Sequence, residues 1–156
     1  MKKRLVLGAD PAAFSLKMIL IDYLKQKGYE VTDIDNGRND VAFYESARNA
    51  SRYLLQGNAD LGILLCGTGA GMCVAANQFS GITAVCCESV ATAEKARIVN
   101  DANVLTMGAF IVDEEKAKAM ADAFLSAYFG QGLDDSLCAF LVDAGERIRH
   151  FRNEKI

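Results

Sequence analysis

The sequence of 156 residues contains no tryptophan, one proline and one histidine. With His150 as the single histidine, neither a Ser-His-Asp triad nor a histidine-rich metal site can be assembled. Positive charge is not in excess either, since 17 Lys and Arg residues stand against 20 Asp and Glu residues. A basic surface is the usual signature of nucleic-acid binding, so this class of function is excluded.

The five cysteines are odd in number and none has Cys-x-x-Cys spacing, so they predict neither a disulfide framework nor a zinc site. Reduced thiols are typical of the cytosol. The apolar run near the N-terminus is interrupted early by Asp10, unlike a secretory signal, and the longest apolar stretch, Leu61 to Ala76, contains four glycines, unlike a membrane span. We therefore expect a cytoplasmic protein.

Short apolar runs alternate with helical patterns along the whole chain, in which 51% of the residues are hydrophobic. No linker-like segment interrupts them, which predicts one domain over residues 1–156. The alternation predicts an α/β fold with a five-stranded parallel sheet and helices on both faces, and a last amphipathic helix over about 135–151. The predicted strands are Leu5–Gly8, Tyr29–Ile34, Leu61–Leu65, Ile82–Cys87 and Asn103–Met107.

Ligands of open parallel sheets bind beyond the carboxyl ends of the strands, where the strand order reverses. If the order is 2-1-3-4-5, this crevice lies between the first and third strands, which end at Asp10 and Cys66. The topology thus predicts a carboxylate beside a thiol. Asp10 precedes Pro11, as in many helix N-caps, so we expect it to cap the next helix, to bind substrate hydroxyls, or both.

The segment from Cys66 to Gly71 reads Cys-Gly-Thr-Gly-Ala-Gly and links the third strand to a helix. Without side chains at the glycines, backbone N–H groups can converge on an anion; tight packing of strand and helix is the alternative explanation. The segment matches neither a Walker loop nor the dinucleotide fingerprint. Cys66, near the positive end of the helix, is a candidate base or nucleophile, although an average cysteine is a small buried hydrophobe.

These residues have the order and spacing found in the ribose-5-phosphate isomerase B and galactose-6-phosphate isomerase family, which the chain resembles over nearly its whole length. The resemblance implies a Rossmann-like three-layer domain, a homodimer or homotetramer with shared active sites, and isomerisation of an aldose phosphate to a ketose phosphate through a cis-enediolate. It implies no cofactor and no metal. The shared motifs are Gly8-Ala9-Asp10, Cys66 to Gly71, Ala75-Ala76-Asn77 and Asn100 to Leu105.

The resemblance also implies roles for the loop residues. Cys66 is the base that moves a proton between C1 and C2, and Thr68 positions this base. The backbone N–H groups of Gly67, Gly69 and Gly71 hold the enediolate oxygens, a charge that develops only along the reaction path and so favours rate over binding.

The remaining roles implied by the resemblance concern substrate binding. Asp10 and Asn100 hold sugar hydroxyls, and Asn100 comes from the partner subunit, although Asn-Asp-Ala-Asn alone would predict only a turn. Arg38 matches a family arginine and is a candidate for the anionic end of the substrate, as are Arg97 and the pair Arg147 and Arg149.

Several positions depart from the family pattern. Pro11 and Val99 stand where the family has histidines, the second of which opens the sugar ring. Apolar residues replace two phosphate-binding arginines near the C-terminus and a third arginine that follows the glycine of strand five. A tetrose phosphate needs no ring-opening residue, because its chain is too short for a six-membered ring and its phosphate blocks the other hydroxyl. The lost arginines imply a different anion clamp or a different substrate. The replacements of arginine are Phe110, Leu133 and Leu137.

These departures leave other functions open. The chain could be an incomplete or partner-dependent subunit of a galactose-6-phosphate isomerase-type complex, or a protein that only binds a sugar phosphate. Retention of Cys66 with its full glycine loop argues against both. A flavodoxin-like flavin carrier is disfavoured because the first strand is not followed by a phosphate loop. The final helix packs either on its own domain or on a neighbouring subunit, and its spacing does not decide between them.

Overall fold

The computed structural model describes residues 3–151 as five strands and six α-helices that alternate along the chain. No helix in this range is long and apolar enough to cross a membrane. The elements are β1 (Arg4–Ala9), α1 (Phe14–Gln26), β2 (Glu30–Asp33), α2 (Phe43–Leu55), β3 (Leu61–Cys66), α3 (Ala70–Ala76), β4 (Ala84–Cys86), α4 (Val90–Ile98), β5 (Val104–Gly108), α5 (Glu114–Ser126) and α6 (Asp135–Phe151).

The five strands form one parallel sheet in the order β2-β1-β3-β5-β4. The predicted α/β class is therefore confirmed, but the order 2-1-3-4-5 is wrong in its last two strands. Every residue of β5 is buried, whereas only Ala84 of the three-residue β4 is, so burial favours β5 in the interior and β4 at the edge. The first and third strands are still neighbours, with Ala9 opposite Leu65.

Side chains alternate between the two faces of the sheet, and each face has its own core. On one face, Leu5 and Leu7 pack with α1, α4 and α5. On the other, Val6 and Leu64 pack with α2 and α3. Ser89 and Asp113 are the N-caps of α4 and α5, because their side chains accept hydrogen bonds from Thr92 N–H and Lys116 N–H.

The helix α6 has the predicted bounds but buries none of its side chains against the rest of the chain. Its apolar residues Leu137, Phe140, Ile148 and Phe151 are exposed, Phe140 by 63% of its surface. A cavity of about 490 Å³ lies between this helix and the segment that follows α4. In a single chain, α6 therefore presents apolar side chains to solvent.

Candidate active site

Cys66 ends β3 with its side chain inside the core of the α2 and α3 face, 5% exposed. The apolar run of β3 carries the thiol from the middle of the sheet to its carboxyl edge. There its Sγ accepts a hydrogen bond from Gly69 N–H at 3.1 Å. The loop thus wraps around the sulfur, and its backbone fixes the orientation of the Cys66 side chain.

The loop lies flat on the end of β5. Gly69 has a left-handed φ of 80°, and a Cβ there would come within 2.8 Å of the Met107 carbonyl carbon. A Cβ on Gly108 would lie 2.5 Å from the Thr68 carbonyl carbon. No larger residue fits at either position, so the path of the loop depends on both glycines. The glycines of the loop therefore serve close packing. The N–H group of Gly69, which the resemblance assigns to the enediolate oxygens, is instead bound to Cys66 Sγ.

Thr68 is exposed at the tip of the loop, and its hydroxyl accepts a hydrogen bond from Ala70 N–H at 3.4 Å, at the start of α3. Its carbonyl accepts a hydrogen bond from the Cys86 thiol at 3.7 Å. Burial raises the pKa of the Cys86 thiol. Cys86 is thus a second thiol beside the loop, one that burial keeps protonated.

Asp10 follows β1 directly and lies beside the end of β3, since its backbone N–H donates to the Leu65 carbonyl at 3.2 Å. Its carboxylate accepts a hydrogen bond from Ala13 N–H at 3.3 Å, which caps a short 3-10 turn that begins at Pro11. The capping role is therefore confirmed. The side chain is half-buried, at the same edge of the sheet as Cys66.

A buried ionic cluster next to Asp10 was missed by the sequence analysis. Lys17 of α1 is fully buried, and its Nζ lies 2.8 Å from Asp33 Oδ1 and 3.0 Å from Asp35 Oδ2. Asp35 Oδ2 also accepts Ala9 N–H at 2.8 Å, so the cluster supports the end of β1. Lys17 stands on the apolar stripe of α1, and this was the signal that could have revealed it.

Asp33 has an environment that stabilises its charge. Burial acts to raise its pKa, but the hydrogen bonds from Lys17 and from the backbone N–H groups of Gly37 and Asp35 act against burial and leave the pKa lowered overall. The ionised carboxylate is therefore part of the folded structure at neutral pH.

The other proposed binding residues lie apart from this group. Arg38 follows β2, at the same edge of the sheet as Cys66, where its exposed guanidinium pairs with Asp40 at 2.9 Å. Asn100 lies between the end of α4 and the start of β5, at the opposite edge, and lines the cavity beside α6 together with Arg149. The structure thus brings Asp10 and the loop residues together but does not bring Asn100 to them within one chain.

Two of the asparagine and arginine candidates have structural partners. The Asn103 amide accepts Thr83 N–H and donates to the Gly81 carbonyl, so it joins the starts of β4 and β5. Arg97 donates to Asp101 and to the Ala102 carbonyl at 2.7 Å. Both side chains therefore hold the segment around Asn100 in place.

The chain was compared with known proteins. A sequence model of the Ribose/Galactose Isomerase family matches residues 5–136. The chain is 39% identical over 147 residues to a 4-deoxy-4-sulfo-D-erythrose isomerase of Clostridium sp. strain MSTE9, covering 93% of this chain and 92% of that protein. It is 40% identical over 131 residues to a D-erythrulose-4-phosphate isomerase of Pectobacterium atrosepticum, covering 82% and 86% of the two chains.

The chain is also similar in structure to a member of this family. The ribose 5-phosphate isomerase of Thermotoga maritima superposes with a TM-score of 0.86 at 34% identity, covering 96% of this chain and 99% of that one. Fold and sequence similarity thus agree over nearly the full length of both proteins.

Proposed function

Because this chain belongs to the ribose/galactose isomerase family, we propose that it isomerises a four-carbon aldose that carries a terminal anion, with Cys66 as the base. The chain is a sugar-phosphate aldose–ketose isomerase of the ribose-5-phosphate isomerase B type. The observation that carries the assignment of the base is the Sγ of Cys66, which is held by Gly69 N–H at the mouth of an open glycine loop.

The reaction needs a base that takes a proton from one carbon and returns it to the next. The Cys66 thiolate removes the proton from C2 of the aldose, and the electron pair moves into the C1 carbonyl to give an enediolate. The hydroxyl proton on the C2 oxygen passes to the neighbouring C1 oxygen, and the thiol donates its proton to C1, which leaves a ketose with a C1 hydroxyl and regenerates the thiolate. Backbone N–H groups of Gly67 and Gly71 hold the oxygens on which negative charge develops. Thr68 helps to position this base, because its hydroxyl accepts Ala70 N–H and supports the loop that holds Cys66.

Two observations favour a four-carbon substrate. Pro11 and Val99 cannot donate or accept a proton, and both occupy positions at which the resemblance implies histidine. A tetrose with an anion on its last carbon stays open-chain, so it needs no ring-opening acid. Of the relatives at 39–40% identity, two are named for four-carbon sugars, one a sulfonate and one a phosphate, and one for ribose 5-phosphate.

We also propose that Asp10 and Arg38 bind the substrate. Asp10 is half-buried beside the end of β3, within reach of a hydroxyl on a substrate bound over Cys66. Arg38 lies at the same edge of the sheet, and its exposed guanidinium can exchange Asp40 for the anionic end of the substrate. Phosphate and sulfonate substrates both meet the requirement of this arginine, which is a terminal group with one or two negative charges on its oxygens.

A substrate panel tests this proposal. We expect kcat/KM for erythrose 4-phosphate or 4-deoxy-4-sulfoerythrose to exceed that for ribose 5-phosphate and allose 6-phosphate by about tenfold or more. Turnover and exchange of the C2 proton in heavy water are followed by proton NMR. The phosphate and sulfonate arms identify the anion. Equal or faster turnover of ribose 5-phosphate would contradict the four-carbon assignment, and no exchange with any sugar would favour a role in binding alone.

The active site is proposed to be shared between two copies of the chain. Asn100 stands at the edge of the sheet opposite Cys66, and α6 exposes a row of apolar side chains beside it. A symmetric dimer covers that row and brings Asn100 of each chain to Cys66 of the other. A symmetric dimer therefore accounts for both the exposed apolar row of α6 and the position of Asn100.

Co-expression of two inactive variants tests the shared site. Cys66→Ala and Asn100→Ala should each be inactive alone, while their statistical mixture should recover about a quarter of wild-type activity, since half of the dimers have one intact site. Differently tagged chains allow the mixed dimers to be isolated and counted. Mixed dimers without activity, or a monomer by sedimentation, would contradict this arrangement.

We further propose that residues 1–156 form one domain that acts in the cytoplasm. The five strands of the described range share a single sheet, and all five cysteines are free thiols, as is usual in a reducing compartment.

A further inference from the structure

Phe110 holds an aromatic ring directly beside the candidate base. After β5 the backbone continues alongside the loop, with Ala109 N–H donating to the Cys66 carbonyl and Phe110 N–H donating to the Gly67 carbonyl, both at 2.9 Å. A Cβ on Gly67 would lie 2.5 Å from Cε2 and 2.9 Å from Cδ2 of Phe110. The ring is therefore fixed by the backbone against the residue that follows Cys66.

The ring is not part of the core, since 74% of its surface is exposed. A second ring flanks the other end of the loop: a Cβ on Gly71 would lie 3.1 Å from two carbons of Phe43, which is 38% exposed. The two rings thus border the open space over the loop at both ends. An exposed phenylalanine adds little to the stability of the domain. Because the ring of Phe110 lies against Gly67, the residue after Cys66, it is placed to contact a substrate bound over the loop.

From this position we infer that Phe110 limits the length of the substrate and rejects five-carbon sugars. The inference rests on the proposed function, since it takes the loop beside Cys66 as the place where the reacting carbons lie. A substrate placed there must extend along the loop, and on the Gly67 side it meets the ring of Phe110.

The ring discriminates by chemistry as well as by space. Each additional carbon of a sugar chain carries a hydroxyl, and a phenyl ring offers it no hydrogen-bond partner. A hydroxyl forced against the ring loses water without replacing it, which disfavours binding. A shorter chain ends before the ring and keeps its hydroxyls toward the loop amides and Asp10. Phe110 therefore acts as a specificity-determining residue.

Replacement of Phe110 by alanine tests the inference. We expect the ratio of kcat/KM for ribose 5-phosphate to that for erythrose 4-phosphate to rise about tenfold or more in Phe110→Ala. Calorimetry measures the binding of ribulose 5-phosphate to the wild type and to Phe110→Ala. The variant should bind it more tightly by a similar factor. Ile111→Ala is the matched control. It also removes an exposed apolar side chain that follows β5, but the atoms nearest Gly67 belong to Phe110 and not to Ile111.

The outcomes separate the two proposals. If Phe110→Ala gains neither turnover nor binding of five-carbon sugars, or if Ile111→Ala gains as much, the length limit at Phe110 is wrong even when the wild type prefers a tetrose. If the wild type turns over no four-carbon sugar but Phe110→Ala binds ribulose 5-phosphate more tightly, the substrate assignment fails and the length limit stands.

Discussion

Replacement of Cys66 by serine is expected to lower kcat/KM by about 10²- to 10⁴-fold, the usual contribution of a positioned base. The hydroxyl has nearly the size of the thiol and can still accept Gly69 N–H, so the loop should keep its shape. An alcohol gives up its proton far less readily than a thiol and is a poor base at neutral pH. The loss should appear equally in turnover and in exchange of the C2 proton, followed by NMR.

The matched control is Cys86→Ser. Cys86 is half-buried beside the same loop and donates to the Thr68 carbonyl at 3.7 Å, a bond that a serine hydroxyl can replace. Because burial raises the pKa of its thiol, Cys86 stays protonated at neutral pH and is unsuited to act as a base. The control should therefore retain most of its activity. Full activity in Cys66→Ser, or an equal loss in both variants, would end the assignment of Cys66.

Replacement of Lys17 by methionine should lower the free energy of unfolding by about 3–5 kcal/mol, the usual cost of breaking a buried ion pair. Methionine fills much of the space of the lysine but leaves Asp33 and Asp35 facing each other without a cation. Asp35, buried to 96% of its surface, would then keep Ala9 N–H as its donor. Urea unfolding followed by circular dichroism measures the loss as a lower midpoint.

Lys27→Met separates a buried pair from an exposed one. Lys27 caps the end of the same helix and pairs with Asp122, but both side chains are more than a third exposed and solvent screens the pair, so its removal should lower the midpoint far less than the removal of Lys17. The lowered pKa of Asp33 stabilises the fold above the usual carboxyl range, and this stabilisation is lost as the pH falls through the lowered value. The deficit of Lys17→Met should therefore shrink in acid. Equal losses in the two variants would contradict the role of the buried cluster.

Much of the fold was predictable because local pattern and tertiary structure agree. The strands β1 and β3 are short apolar runs that end at Asp10 and Cys66, and parallel strands bring such ends to one edge. The order of β4 and β5 was predicted wrongly, since both are apolar runs of similar length in the sequence. What separates them is burial on both faces, and this depends on the helices that cover each strand.

The site was predictable only where neighbours in sequence make it. The loop from Cys66 to Gly71 could be found from its glycines and its position after a strand. The apolar stripe of α1 could indicate that Lys17 is buried, but not that it pairs with Asp33 at the end of β2 and Asp35 beyond it, because carboxylates at such positions are typically exposed. In the same way, the sequence identifies Phe110 as a replaced arginine, but the pairing of two loops puts its ring over Gly67.

The insertion of β5 between β3 and β4 affects when the site is completed during synthesis of the chain. The loop from Cys66 to Gly71 packs against Gly108, so the candidate base is not held in place until β5, which is synthesised later, has docked beside β3. The strands β1, β2 and β3 leave the ribosome before β5, because synthesis proceeds from the N-terminus. Activity therefore requires the pairing of β5 with β3. Such long-range contacts are the slowest to form in a parallel sheet. The nascent protein thus acquires its structure before it acquires its activity.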